Sequence, residues 1–491
     1  MIVLPYYGMR KRCPVNGNNT YRRKPNPQNP TMTTRKILFL VVLLLCSTAA
    51  VADSWTIFHG PNRDNVSPET GLLKSWKEEG PPLLWTVKTI GNTDFPGYSS
   101  VTIADGRIFT SGNFQSEQEA KARVFALDEK TGKEIWHYDN GSAWMDKGKF
   151  PGERSSPTID GDRVYVFSAV GRLACLEAAT GKEIWARNLR EEYNATLPEW
   201  AYAESPFIDG NKVIIWIGGE KAAVVALDKM TGKTIWETPS TGQRGNYASM
   251  AAFSRQGFQV YVNMNQAGVL AVNGKTGEKL YDIPHKTEWD VMATTPYIIE
   301  DQDGYKLFVV SGYGTGAKLF KVEGVAGVSA YITVEGIPGV VTTDVKGGVR
   351  RILEIDSATE IWAKKEFDNM HGGVVIKDGY AYAATHYYKR QRNWSCIKLS
   401  DGTTMWENPG VGMGALTCAD GMLYCMAERD GTVALVKASP EKYEEMGRFT
   451  LPNEGDDKED DGKFWAHPVV CNKKLYLRHH NFLYCYDIEE K

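Results

Sequence analysis

The sequence predicts an all-β fold: an eight-bladed β-propeller of four-stranded antiparallel blades, closed by an N-terminal strand pairing with the C-terminal blade. Three observations predict it. A strand–turn–strand unit is restated along most of the chain, a second hairpin precedes each copy, and the two ends of the chain carry complementary pieces of one copy.

The repeated unit is clearest at Leu173-Ala-Cys-Leu-Glu-Ala-Ala-Thr-Gly-Lys-Glu-Ile-Trp185, with versions ending at Trp136, Trp236, Tyr281 and Trp406. Its reversal is carried by Gly132, Gly181, Gly232, Gly277 and Gly402. A tight hairpin needs positive φ, which glycine adopts without steric cost. Four residues on stands an aromatic, expected to pack between neighbouring sheets. Trp136 and Trp185 are 49 residues apart, Trp185 and Trp236 are 51, Trp236 and Tyr281 are 45, and Trp362 and Trp406 are 44. The upstream hairpin turns on Asp105-Gly106, Asp209-Gly210, Asp378-Gly379 and Asp420-Gly421, and Ser156–Phe167 repeats the device around Asp160-Gly161. Each unit therefore has four strands.

Composition agrees: 491 residues, 42% hydrophobic and 24% charged, can bury a large core, and 48 glycines suit a turn-rich chain. Residues 1–31 stand apart as a basic, Pro- and Asn-rich extension ahead of a second methionine, Met32, which the pattern favours as the true start. Residues 32–52 read as a signal peptide. Arg35 and Lys36 precede the apolar run Ile37–Leu45, and Ala50-Val-Ala52 offers a cleavage site. That run is too short to span a membrane, which takes about 20 residues. Leu45 before Cys46 argues against lipid attachment. Removing residues 1–52 deletes eight Lys/Arg and no Asp/Glu, taking the net charge from −3 to −11. The exported chain is then acidic, which disfavours nucleic acid or an anionic membrane surface as a partner.

Residues 53–80 read as an irregular leader and 81–489 as the propeller. Leu83–Lys88 supplies the outer strand of a unit whose other three strands lie in Ala466–Val470, Leu475–Leu477 and Phe482–Ile488. Pairing the termini in one sheet removes the exposed edges of an open array. The units start near Tyr98, Ser155, Ser205, Ala248, Thr294, His371, Met413 and Ala466. The fifth is interrupted by a Gly- and Val-rich insertion, 323–354, expected to form an extra hairpin over the rim. Of the six cysteines past residue 52, Cys175, Cys396 and Cys485 occupy a position held by alanine in sister repeats, so they read as small buried residues. For Cys418, Cys425 and Cys471 the spacing leaves a bridge open.

The Ala-x-Asp-x-x-Thr-Gly-Lys-x-x-Trp pattern of residues 126–136 and 226–236 resembles the repeat of the pyrroloquinoline-quinone (PQQ)-like β-propellers. That family holds quinoprotein dehydrogenases and non-catalytic members such as the BamB outer-membrane assembly propeller. The leader (His59-Gly-Pro-Asn-Arg63, Gly71–Trp76), Glu204-Ser-Pro206, Gly312-Tyr-Gly-Thr-Gly316 and His371-Gly-Gly-Val-Val375 are similar to exported PQQ-like repeat proteins. The dehydrogenase branch implies a quinone stacked between a tryptophan and a disulfide of adjacent cysteines, with calcium held by Glu, Asn and Asp and a catalytic Asp nearby. Trp200 and Glu204 match two of these by residue type, but no Cys-Cys pair occurs, and no motif supplies the Asn or the catalytic Asp. No cofactor is therefore expected, PQQ with calcium being the disfavoured alternative.

In a propeller the links between blades share one face with the second-to-third-strand loops, and the Asp-Gly and Thr-Gly turns share the other. The turns are short and regular, whereas the links vary, so binding is expected on the link face. Trp144, Trp200, Tyr202, Trp289 and Trp465 lie in links, and Arg154, Glu204, Tyr247, His371 and His467 stand at or just before innermost strands. Together they predict an aromatic funnel with a few charged groups, suited to a small planar ligand, a sugar or a peptide. The competing reading has the tryptophans anchoring loops and Glu204 paired with Arg154. His371 and His467 lack zinc-like spacing. Asp456–Gly462 begins like a calcium loop but has Pro468 where a bidentate Glu is required. Lys389-Arg-Gln-Arg392 reads as exposed surface. The sequence thus predicts a monomeric, non-catalytic, exported propeller, periplasmic or extracellular. It would hold an envelope protein, a glycan or a small ligand on its loop face, with a PQQ-dependent dehydrogenase as the alternative.

Overall fold

The computed structural model describes residues 54–255, 258–302, 304–322, 344–345, 348–349, 359–385, 392–452 and 463–491. The extension 1–31, the signal segment 32–52, most of the insertion 323–354, Lys389–Gln391 and the acidic run Asp456–Gly462 lie outside the described residues.

Eight four-stranded antiparallel sheets follow one another around the ring. Blade 1 spans Thr102–Ser142, blade 2 Thr158–Asn188, blade 3 Phe207–Pro239 and blade 4 Ala251–Pro284. Blade 5 takes three strands from Tyr297–Val322 and its outer strand from Thr359–Lys364, blade 6 spans Val375–Asn408, and blade 7 Gly414–Thr450. Blade 8 is closed as expected: Leu83–Val87 pairs antiparallel with Phe482–Asp487. Within the insertion, Asp344–Val345 pairs with Gly348–Val349. Two short helical turns in the links, Lys147–Lys149 and Leu189–Glu192, were not foreseen.

The Thr-Gly turns explain their own motif. In blade 1, Asp128 Oδ1 accepts from Thr131 N at 2.9 Å and Thr131 Oγ1 at 2.7 Å, and blade 3 repeats this at Asp228 and Thr231. The following glycine is needed twice over. Gly181 has φ +74°, and a Cβ there would lie 2.6 Å from the Trp136 ring of the preceding blade. Each tryptophan also reaches forward: Trp136 Nε1 donates to Ala178 O at 3.1 Å, Trp185 to Lys229 O at 3.0 Å, Trp236 to Gly274 O at 3.2 Å and Trp406 to Ser439 O at 2.9 Å. The motif is thus a blade-to-blade clasp, and Trp85 against Gly132 carries it across the closure.

Cys175, Cys396 and Cys485 pair across the sheet with Trp185, Trp406 and Trp85, where sister blades set Ala126 and Ala226 opposite Trp136 and Trp236. All six cysteines among the described residues are buried, and no disulfide joins any two of them, Cys418, Cys425 and Cys471 included. In blades 1, 2 and 3 the outer strand bulges just before the tryptophan, leaving Ile135, Ile184 and Ile235 exposed. Such bulges on an edge strand discourage edge-to-edge pairing.

The leader is more ordered in its contacts than its sequence predicts. Trp55 bridges Ile103 of blade 1, Thr56 O accepts from Ile159 N of blade 2, and Arg63 stacks 3.7 Å over Phe207 of blade 3. Asn65 Nδ2 then donates to Val374 O of blade 6, and Val66–Ser67 adds a parallel fifth strand to the inner edge of blade 7. In blade 8 the turn holds Asn472 and Lys473 at φ +53° and +59°, and the Glu69 carboxylate accepts both of their amides. One segment therefore touches six blades at or beside their innermost strands.

Candidate functional site

A cavity of about 260 Å³ opens on the link face. Its walls come from residues at or just before the innermost strands, from links and from second-to-third-strand loops, and Phe58 of the leader is its floor.

Six residues expected at the site line it: Arg154, Trp200, Tyr247, His371, Trp465 and His467. Their aromatic rings form two groups. Trp465 contacts Tyr98 at 4.8 Å, Phe150 at 5.3 Å and His371 at 5.1 Å between ring centroids. Trp200 meets Tyr247 edge-on at 6.0 Å, and Tyr247 Oη accepts from Trp200 N. Arg154 lies 5.4 Å from the Tyr98 ring and 4.7 Å from Trp144, and donates to the carbonyls of Lys149, Phe150 and Gly152. Burial pulls this guanidinium down to about 10. Opposite it, His371 Nε2 stands 3.3 Å from the Glu428 carboxylate.

Four expected residues do not face the cavity. Trp144 is buried beneath Arg154, packed with Ala169 and Ala201. Tyr202 is fully buried and donates to Ile217 O at 3.0 Å. Trp289 is 61% exposed, outside the funnel. Glu204 is 1% exposed: Ala203 takes the cavity wall, and the carboxylate turns between blades 3 and 4. There it accepts from Trp216 N at 2.8 Å and Asn263 Nδ2 at 3.2 Å, not from Arg154. Burial pushes its pKa up to about 8. Glu153 plays the same part in blade 2, accepting from Ala169 N at 3.0 Å, and is pushed up by burial to about 7.

Sequence reasoning missed Phe58, Tyr98, Phe150, Tyr313 and Glu428. Tyr98 stands just before an innermost strand, as Arg154 and Tyr247 do, so the same rule applied to the first blade finds it. Tyr313 lies within Gly312–Gly316, a stretch marked by resemblance alone. Phe58 carries no local signal, because its place depends on contacts more than 300 residues away in the chain, such as that of Asn65 with Val374.

His59 of the leader and His467 of the cavity wall approach to 5.0 Å between centroids. Among the described residues neither ring nitrogen of His59 has a hydrogen-bond partner, whereas His467 Nε2 meets His371 O at 2.7 Å. Burial lowers both, His467 to about 4.

The donor set does not fit the quinone seat that the dehydrogenase resemblance implies. No two cysteines are adjacent in the chain, and the Glu204 carboxylate is committed to a backbone amide and an asparagine between two blades. Among the described residues no group of three His, Cys, Asp or Glu side chains is placed to hold a metal ion.

Eight four-stranded blades set around one ring define the class as a β-propeller. The model of the family described as outer membrane protein assembly factor BamB matches residues 120–328. Among solved structures, quinohemoprotein alcohol dehydrogenase from Comamonas testosteroni is similar at TM-score 0.60 and 14% identity, over 91% of this chain and 82% of that one. A europium-containing methanol dehydrogenase is similar at 0.58 and 12%, over 87% and 89%. BamB from Moraxella catarrhalis is similar at 0.50 and 14%, over 83% and 98%. At these identities the likeness is one of fold. No curated protein sequence matches the chain.

Proposed function

We propose that this protein is a non-catalytic binding propeller, exported by its N-terminal signal, that takes a ligand or a partner's segment into the aromatic funnel of its link face. The observation that carries the reading is the cavity itself. Rings from several blades surround one arginine over a floor supplied by the leader. Such a pocket suits recognition of a partly apolar group by burial plus one directed polar contact. An envelope setting is supported by the acidic charge left after signal removal and by the match to a family described by an outer-membrane assembly factor.

The dehydrogenase reading is tested by adding PQQ and Ca²⁺ to purified protein and following quinone absorbance and dye-linked alcohol oxidation. Neither stoichiometric binding nor turnover is expected, and turnover would overturn the proposal. Trp200→Ala is expected to leave the melting temperature within a degree or two, since the ring is partly exposed, while weakening ligand capture. A fall on the scale of a lost core aromatic, about 3–5 kcal/mol, would assign Trp200 to packing instead.

A further inference from the structure

We infer that the funnel selects a singly anionic ligand, one carboxylate on a flat apolar body, with the carboxylate seated at Arg154. The inference rests on the binding function proposed above and adds the chemistry of what is bound.

The argument begins with charge. Arg478 is buried between blades 8 and 1, and Arg154, in the link between blades 1 and 2, is half-buried at the cavity wall. Arg478 donates to Ser99 O, Thr110 Oγ1, Ser111 O and His480 O, all neutral, and its Nη2 has no hydrogen-bond partner. Arg154 donates only to backbone carbonyls. Among the described residues neither guanidinium has a carboxylate within ion-pair distance. Glu153 is the one carboxylate that acts on both, and its own hydrogen bond goes to the Ala169 amide. Burial raises Glu153 toward neutrality, so even its single negative charge is incomplete near pH 7. One buried and one half-buried cation thus face at most one buried anion, an imbalance that a further anion in the cavity would relieve.

The cavity is where that anion can come from. Among the described residues that line it, Arg154 is the only lysine or arginine. The acid on the opposite wall, Glu428, stands against His371. One cationic position predicts one anionic group. The aromatic pairs on either side, Tyr98 with Trp465 and Trp200 with Tyr247, leave the rest of the space to an apolar, flat body. A charge-assisted contact of this kind, made away from bulk water, discriminates strongly between a carboxylate and its neutral isostere.

The test is calorimetric titration of the full mature chain with naphthalene-2-carboxylate and with naphthalene-2-carboxamide, probes of equal shape. The carboxylate is expected to bind at least tenfold more tightly, and Arg154→Met to abolish that preference while leaving weak binding of both probes. Equal affinity of the two probes for the wild-type protein would overturn the inference while leaving the funnel as a binding site. Retention of the preference by Arg154→Met would also overturn it, by placing the anion elsewhere. Saturable binding of neither probe would overturn the inference and the binding function together. The wild-type comparison needs no variant, so it stands even if Arg154→Met fails to fold.

Discussion

Buried ionisable side chains around the funnel give the protein opposing responses to pH. Glu204 has a folded pKa raised to about 8 against an ordinary carboxylate value near 4.5, so the folded state holds a proton that the unfolded state releases. Its contribution is therefore fully present at low pH and is lost as pH rises from about 4.5 to 8, at up to about 1.4 kcal/mol per pH unit. Glu204→Gln should remove that fall, and its stability relative to wild type, measured by urea unfolding, should climb between pH 5 and 8. A flat difference would mean that the carboxyl is not held protonated. His59 and His467 act with the opposite sign. Both are lowered, His467 to about 4, so the unfolded state binds the protons and stability falls as pH drops from about 6.5 toward 4. His59→Phe, which keeps a ring in the site, should shift the acid midpoint of unfolding downward. An unchanged midpoint would show that the buried pair does not govern acid lability.

The turn and its tryptophan form one element, and their energetics should be separable from binding. Trp136 fills the space above Gly181 and donates to Ala178 O, so Trp136→Ala creates a cavity and strands a buried carbonyl. A loss of about 3–5 kcal/mol in denaturant unfolding is expected, with ligand affinity unchanged because the clasp lies on the far face. Glu69 is the leader's counterpart. Its carboxylate satisfies two amides in a turn that lacks glycine, and Glu69→Ala should cost about 2–4 kcal/mol and speed hydrogen exchange at Asn472 and Lys473. These elements differ in how far the sequence reveals them. The clasp is legible because Asp, Thr, Gly and Trp fall within nine residues of one another and recur. The leader's course is not, since each of its contacts is made once and across hundreds of residues. Glu204 shows the same limit at the site. Its position beside an innermost strand was readable, but the choice between facing the cavity and entering the wedge was made by Trp216 N and Asn263.

At the scale of the whole molecule, a ring of repeated clasps carries stability, and the link face, where repetition lapses, carries the cavity. The sequence shows that division because regular turns and irregular links alternate along it. What it hides is the course of the leader across six blades, which brings Phe58 into the cavity lining. The most direct measurement is a crystallographic soak of the mature protein with a panel of small aromatic fragments. The account predicts fragments seated above Phe58, between Arg154, Tyr247 and Trp465. Fragments gathered on the Thr-Gly turn face, with the funnel empty, would contradict it.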